Sequence, residues 1–444
     1  MRVQDSGGNS FEKKEYVENF NFFSQKINAL DSGLIILKGN RDSSFVFKYD
    51  AINKSTHSFL SVDSNSYNKL EENIRNSLES FFQNIYFIDQ DKISIIKNDY
   101  KDPINYKNYE LMISSGTSGN KKIVVWSKAK LNLHVNRINQ AYKLNSKIPE
   151  LIIMPLTHSF GLMRLRCALQ RKCDIYISKN IIDHKLVQES LENKDLFIGG
   201  VVSGLEIFLE MYKKLIQKSR VSIFLESGSM RMNSNLLRLL NEIEVTNKLS
   251  FKHHYGSSEF TRFSFIEKDD LDKNISTIIT SNNSFDFKIL EGKLIINTDK
   301  WFDGYLSQSG KINIENINKI ENSSYLYTGD IVESIKGNIN FLGREKETLN
   351  LLGLKFNATE LEDKINKEFT NIIDVLIIQK DSDDEYYVFI CPNKMFLDSE
   401  LFKVSKALFI KTSVKPKVYI VSQIFYTKSE KKVRIIDRYE QIIK

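Results

Sequence analysis

Apolar positions along this chain follow two periods, and where the period changes the expected element changes with it. Leu34-Ile35-Ile36-Leu37 and Ser44-Phe45-Val46-Phe47 read as short strands, and residues 67–86 place Leu70, Ile74, Leu78, Phe81 and Phe82 at helical spacing. Tyr109-Glu110-Leu111-Met112-Ile113 and Ile123-Val124-Val125-Trp126 predict two strands around a loop of small residues, and residues 128–145 predict a helix. Leu151-Ile152-Ile153-Met154 reads as a buried strand that stops at Pro155. Three further apolar runs, at 175–177, 196–198 and 222–225, alternate with helical patterns at 184–191 and 205–216. Strands that alternate with helices predict an α/β fold, a parallel sheet with crossover helices. From Phe285 the pattern turns to short strands and turns, among them Lys293-Leu294-Ile295-Ile296 and residues 337–341, which predicts a β-rich subdomain. Beyond Gly343 a smaller α+β pattern follows, with a helix from Ala358 and strands at 374–378 and 386–390. Residues 1–8 are polar and are expected to be disordered.

The chain has 444 residues, 41% of them hydrophobic, which is enough for more than one domain. Its net charge of +7 is spread along the length, so it argues for no nucleic acid, while it suits an anionic cofactor or an acidic protein partner. The three cysteines, Cys167, Cys173 and Cys391, have the spacing of neither a disulfide framework nor a zinc site, and predict inert thiols in a reducing compartment. No apolar run resembles a signal peptide or reaches the ~20 residues of a membrane span, so the expectation is a soluble, cytoplasmic protein.

Chemistry gathers first at Ser114-Ser115-Gly116-Thr117-Ser118-Gly119-Asn120-Lys121-Lys122. Two glycines and four hydroxyl residues in its first seven positions leave backbone N–H groups and hydroxyls to surround an anion, and a lysine at its end adds a mobile charge. The spacing fits neither the Gly-x-x-x-x-Gly-Lys-Ser/Thr loop nor the dinucleotide Gly-x-Gly-x-x-Gly loop. It resembles the phosphate loop of the adenylate-forming superfamily, the acyl- and aryl-CoA synthetases, luciferases and adenylation domains of peptide synthetases. The superfamily's proline is here Lys121, and Lys122 stands at the position of its lysine.

Other stretches carry the same resemblance, in the same order. Pro155-Leu156-Thr157-His158-Ser159-Phe160-Gly161 is similar to the superfamily's Pro-Leu-x-His-x-x-Gly, which places His158 between the phosphates and the acid. No Asp lies between Pro155 and Lys172, where amino-acid-activating members hold the substrate ammonium, so the resemblance implies a plain carboxylic acid. Ser227-Gly228-Ser229 resembles the adenine loop with its first glycine replaced. In Tyr255-Gly256-Ser257-Ser258-Glu259, Tyr255 would stack on adenine, Ser258 would bond a phosphate and Glu259 would hold Mg²⁺. Tyr327-Thr328-Gly329-Asp330 matches the Thr-Gly-Asp turn, whose carboxylate accepts from both ribose hydroxyls. Gly343-Arg344-Glu345-Lys346 supplies Arg344 for ribose or phosphate and Lys346 as hinge, although Asn350 departs from the pattern. In Lys428-Ser429-Glu430-Lys431-Lys432-Val433-Arg434, Lys431 matches the catalytic lysine that neutralises charge at the α-phosphate, with Glu430 in place of a glycine.

The resemblance implies a large N-terminal domain at 1–345 and a small mobile C-terminal domain at 346–444 that carries Lys431. It implies an acid–thiol ligase that uses ATP and Mg²⁺ and transfers its acyl group to a phosphopantetheine thiol, on coenzyme A or on an acyl carrier protein. The acid pocket would be lined by residues 157–162 and 199–203 and around His253. Lys403, Lys406, Lys411, Lys415 and Lys417 favour an acidic carrier protein. The other reading, motivated by Lys121, Asn350 and Glu430, is a nucleotide-binding or regulatory protein that keeps the fold without the activity.

Overall fold

The structure, a computed structural model, describes residues 1–64, 66–96, 107–114, 121–179, 183–192, 194–281, 283, 285–307, 311–313, 317–320, 323–379, 385–393, 397–426 and 432–443. A first sheet has the order Ser264–Glu267, Leu249–Tyr255, Ile223–Gly228, Leu196–Val201, Glu150–Ile152, Ile175–Ile177, Val3–Asp5, Ser10–Phe11. Its interior pairings are parallel and only its two edge strands are antiparallel. The helices Ser159–Arg171, His184–Leu191, Val202–Ser219 and Ser234–Glu244 make the crossovers. The strands are apolar because both faces are covered, as parallel sheets require.

A second sheet runs Ile312–Asn313, Gly304–Leu306, Ile123–Ser127, Tyr109–Ile113, Ser58–Val62, Leu34–Lys38, Ile85–Asp89, Lys92–Ile96. An apolar cluster of Ile35, Leu37, Phe45, Tyr49, Ile152, Leu165 and Ile175 joins the first sheet to the second. The expected β-rich region is an antiparallel sheet of Thr277–Ile279, Asn338–Arg344, Ser323–Ile335, Lys293–Asn297 and Phe287–Leu290, with Ile317–Ile320 beside it. It shares a cluster with the second sheet through Val124, Trp126, Leu294 and Trp301. After it come a hairpin, Thr348–Leu351 with Leu354–Asn357, and a three-stranded sheet of Ile372–Gln379, Tyr386–Pro392 and Lys417–Ile420. The helices Ala358–Glu368 and Asp398–Thr412 pack on one face of that sheet and Ile436–Glu440 on the other, in clusters made only of residues from Leu349 onward.

Three expectations are corrected. Residues 1–8 are not disordered: Val3–Asp5 is a buried strand that pairs in parallel with Ile175–Ile177, with Val3 fully buried. Its signal is faint because a three-residue strand shows no period. Residues 44–47 are not a strand but open the helix Ser43–Lys54, capped by the Asp42 carboxylate, which accepts from the Phe45 N–H at 3.0 Å. That helix is buried nearly all round, so its apolar run lacks the stripe that separates helix from strand. The helix expected over 67–86 is shorter: Glu72–Glu79, after a 3₁₀ turn at Tyr67–Lys69, and Ile85–Asp89 is already a strand.

Candidate active site

The stem of the glycine-serine loop is an antiparallel pair in which Ile113 faces Ile123. Two bonds close it: Ser114 N–H to the Lys122 carbonyl at 2.8 Å, and Lys122 N–H to Ser114 Oγ at 3.1 Å. The Ser114 hydroxyl therefore builds the loop's neck. Ser115, Gly116, Thr117, Ser118 and Gly119 lie outside the described residues. Lys121, in the place of the superfamily's proline, forms an ion pair with Glu71. Lys122 lays its ammonium over the Tyr305 ring, 4.9 Å from the centroid.

Tyr305 leads to the next motif. Its strand Gly304–Leu306 pairs with Ile123–Ser127, Tyr305 opposite Val124, and its hydroxyl donates to Glu259 Oε1 at 2.9 Å. Ser257 Oγ donates to Glu259 Oε2 at 2.6 Å and also accepts from the Glu259 N–H at 3.1 Å. Trp126, from the loop's second strand, donates Nε1–H to the Ser258 carbonyl at 2.8 Å. Ser258 Oγ lies 3.5 Å from Ser159 Oγ, in the first turn of the helix that His158 precedes. Gly161 is fixed by crowding: a Cβ there would stand 2.3 Å from the Pro155 carbonyl oxygen. The stem of the glycine-serine loop, the His158 turn and the Glu259 turn thus meet.

A second group forms at the β-rich sheet. Asp330 faces Arg344 across an antiparallel pair, and Arg344 Nε approaches Asp330 Oδ1 at 3.0 Å. The Tyr255 hydroxyl donates to Asp330 Oδ2. The turn is set by Gly329 at φ +73° and by Thr328 Oγ1, which accepts from the Asp330 N–H at 3.1 Å. Asp330 is only 1% exposed, and its charge raises the proton affinity of Arg344. Burial, then Asp330, pushes the Tyr255 hydroxyl well above its ordinary range, so it stays a proton donor. Lys346 is exposed in the one-turn helix Glu345–Glu347 that follows.

The expected adenine turn is part strand. Ser227 is a fully buried residue of Ile223–Gly228, paired with Gly200 on one side and His253 on the other, with its Oγ 2.6 Å from His253 Nδ1, so it is not offered to a ring. A Cβ on Gly228 would stand 2.2 Å from the His254 ring, and Ser229 turns out in a left-handed conformation at φ +65°. Gly256 is equally confined, with the Arg262 backbone nitrogen 2.6 Å from a Cβ built there. Burial lowers the proton affinity of His253 to about 3 and also lowers that of His254, so both are neutral.

Beneath this site lies a charge network that sequence reasoning missed. Glu226, fully buried, accepts from Arg262 Nε at 2.7 Å and Arg164 Nη1 at 3.3 Å, with His254 Nδ1 at 3.1 Å. Burial alone would raise its pKa, but Arg262 and Arg164 hold it well below the carboxylate range. Arg164 also pairs with Glu150 at 2.6 Å. A Glu at the end of an apolar run reads as the start of a loop, so no sequence signal marks this network. Tyr305 was missed for a different reason: an aromatic residue in a short strand reads as core.

Lys431 lies outside the described residues. Its neighbours are tied into the C-terminal sheet: Lys432 to Asp374 at 2.8 Å and Glu362 at 3.2 Å, Arg434 to Glu362 at 2.6 Å. Among the described residues no three His, Cys, Asp or Glu side chains gather as a metal cluster. No helix among them is long and apolar enough to cross a membrane.

No family model and no curated protein matches this chain. Solved structures do. The ATP-bound MatB from Rhodopseudomonas palustris superposes with a TM-score of 0.72 at 13% identity, over 99% of this chain and 95% of that one. The o-succinylbenzoate CoA synthetase MenE from Bacillus subtilis, in complex with its acyl-adenylate intermediate, gives 0.74 at 15% identity, over 97% and 94%. A four-domain nonribosomal peptide synthetase bound to AMP and glycine gives 0.72 at 12%, over 97% of this chain and 34% of that one. The chain has the fold of the adenylate-forming superfamily.

Proposed function

We propose that the chain is an AMP-forming acid–thiol ligase. A substrate carboxylate would attack the α-phosphate of ATP, forming a P–O bond as pyrophosphate leaves, and a thiol would then displace AMP from the acyl-adenylate. The observation that carries this reading is the convergence of motifs distant in sequence. Tyr255, Asp330 and Arg344 form one contact group, and Lys122 and Glu259 share Tyr305.

In this reading the loop of Ser114, Ser115, Gly116, Thr117, Ser118 and Gly119, with Lys122, surrounds the phosphates. Gly228, Ser229, Tyr255 and Gly256 border the adenine, and Asp330 and Arg344 receive the ribose. Each Glu259 oxygen takes one hydroxyl donor and keeps acceptor capacity for a cation, so the residues fit Mg²⁺, which would neutralise charge on the triphosphate. His158 faces the acid. Lys431, on a C-terminal domain that begins at Lys346, serves the first half-reaction and leaves when that domain turns, a hinge step of a kind that often limits turnover. The closed apolar clusters after Leu349 support that division. Three free, buried cysteines suit the cytoplasm.

For the acceptor we favour an acidic carrier protein over free coenzyme A. Lys403, Lys406 and Lys411 are exposed on the helix Asp398–Thr412 and Lys415 follows it, whereas Lys417 already pairs with Glu385 at 2.8 Å. One experiment tests both halves. ATP–pyrophosphate exchange is measured over a broad panel of carboxylic acids, and the accepted acid is then offered with coenzyme A or with pantetheinylated carrier proteins. Exchange with no acid by a protein that still binds ATP defeats the ligase in favour of a nucleotide-binding protein. Efficient, salt-insensitive loading of coenzyme A with no carrier acylated defeats the choice of acceptor.

A further inference from the structure

We propose that Tyr305 is a positioning residue that couples the loop lysine Lys122 to the carboxylate of Glu259, and so sets the response of nucleotide binding to Mg²⁺. The proposal rests on the ATP-dependent reading above.

Two properties of one phenol carry it. The ring offers its face to a cation, and Lys122 Nζ stands 4.9 Å from its centroid. The hydroxyl donates to Glu259 Oε1 at 2.9 Å, while Ser257 Oγ takes the other oxygen at 2.6 Å. With one donor on each oxygen the plane of the carboxylate is fixed, and lone pairs remain for a hard cation. The phenol thus meets an ammonium on its ring face and a carboxylate at its hydroxyl, so one rigid group touches both. A leucine or valine in the same strand would fill the space and do neither.

The backbone holds the tyrosine there from both sides. Its strand is hydrogen-bonded to the loop's own second strand, with Tyr305 opposite Val124, two residues from Lys122. On the other side the Phe302 N–H donates to the Glu259 carbonyl at 3.4 Å, and the Phe302 ring meets the Tyr305 ring edge-on at 5.1 Å. Gly304, just before Tyr305, lets the outer strand Ile312–Asn313 close on this strand. Its φ is +140°, and a Cβ there would stand 2.6 Å from Ile312 Cγ2 and 2.9 Å from the Asn313 carbonyl oxygen. The strand is therefore a strut between two motifs 137 residues apart in sequence, from Lys122 to Glu259.

The test compares Tyr305→Phe, which deletes only the hydroxyl, with Tyr305→Leu, which deletes the ring face as well. ATP binding is measured by calorimetry across a Mg²⁺ titration, beside pyrophosphate exchange and thermal unfolding. Tyr305→Phe should raise the Mg²⁺ concentration for half-maximal ATP affinity about ten-fold, the loss of one hydrogen bond to a charged group, with ATP affinity at saturating Mg²⁺ within about two-fold of the parent. Tyr305→Leu should in addition weaken ATP binding at saturating Mg²⁺ by a further two- to five-fold. A purely structural tyrosine would lower the melting temperature without moving the Mg²⁺ midpoint. Should Tyr305→Leu fail to fold, the nearly isosteric Tyr305→Phe decides alone. An unchanged Mg²⁺ midpoint in Tyr305→Phe, in a parent that binds MgATP, overturns the role of Tyr305 and leaves the ligase standing. A parent that neither binds MgATP nor exchanges pyrophosphate overturns the ligase and this role together.

Discussion

Asp330 is a nearly inaccessible carboxylate, engaged by the Tyr255 hydroxyl and the Arg344 guanidinium. A ribose that donates two hydroxyls to it must displace or share those partners, and Tyr255 and Arg344 are the residues the nucleotide would move. Asp330→Ala should therefore raise the KM for ATP at least about ten-fold, since each hydrogen bond to a charged acceptor is worth ~1.5–3 kcal/mol and the exchange with Tyr255 and Arg344 returns part of it. A folded Asp330→Ala protein with the parent's KM would reduce the Thr-Gly-Asp motif to a turn. The Glu226 carboxylate gives the contrasting case, a buried charge with no substrate to meet. Glu226→Gln leaves Arg164 and Arg262 short of a counter-charge and should cost about 3–5 kcal/mol of stability, read by urea unfolding at neutral pH; a loss below about 1 kcal/mol would mean that Glu150 alone neutralises the pair. The two carboxylates were not equally legible in the sequence. Asp330 follows Thr-Gly, a local pattern that needs no knowledge of the fold. Glu226 owes its role to Arg164 and Arg262, 62 and 36 residues away, and nothing local to Glu226 announces them.

Elements were legible where a period or a stop signal was local. The strand before Pro155, the helix from Ala358 and the alternation over 150–228 were expected and are present, because crossover helices carry a clear apolar stripe. The elements that were misread are those whose identity depends on what packs around them. Ser43–Lys54 is buried on nearly every side and so shows no stripe, while its start is fixed by Asp42 and by Asp5, which accepts from the Ser43 N–H at 2.9 Å. That contact makes the Val3–Asp5 strand structural twice over, as a rung of the first sheet and as an anchor of a helix beside the second. Removal of residues 1–8 should accordingly destabilise the protein, by about 1.5–3 kcal/mol for the Val3 side chain alone and more with the Asp5 bonds, seen as a lower melting temperature. A truncated protein that melts with the parent would restore the reading of that segment as a loose tail. The same locality explains the site. Motifs gave the residues of each turn, but that Tyr255 meets Asp330, and that Tyr305 stands between Lys122 and Glu259, follows only once the sheets are stacked.

Across the whole molecule, four of the six histidines, His57, His134, His253 and His254, are buried, and burial is the first cause that lowers the proton affinity of each. For His134 the folded value falls to about 4 and for His253 to about 3. Unfolded, each would titrate near ~6.5. Between those values the unfolded chain binds protons that the folded one refuses, so the sign is definite: stability is complete above about pH 6.5 and is lost as the pH falls toward the folded values. Each such histidine contributes a slope of up to ~1.4 kcal/mol per pH unit, so His134 and His253 together should remove about 2–3 kcal/mol between pH 7.5 and 5.5. Glu226, held below its unfolded value, acts in the same direction but only lower, once the pH drops beneath ~4.3. The acid limb should therefore have two stages, one from histidines beginning near neutrality and one from carboxylates beneath it. Urea unfolding at pH 7.5, 6.5 and 5.5 reads the first stage. His253→Asn, which keeps a polar partner for Ser227 but does not titrate, should remove about 1.4 kcal/mol of the difference between pH 7.5 and 5.5. A parent whose stability is flat over that range, or a His253→Asn protein with the parent's full slope, would mean that these imidazoles accept protons in the folded state, which burial opposes, helped by Arg137 and Lys130 at His134 and by His254 at His253.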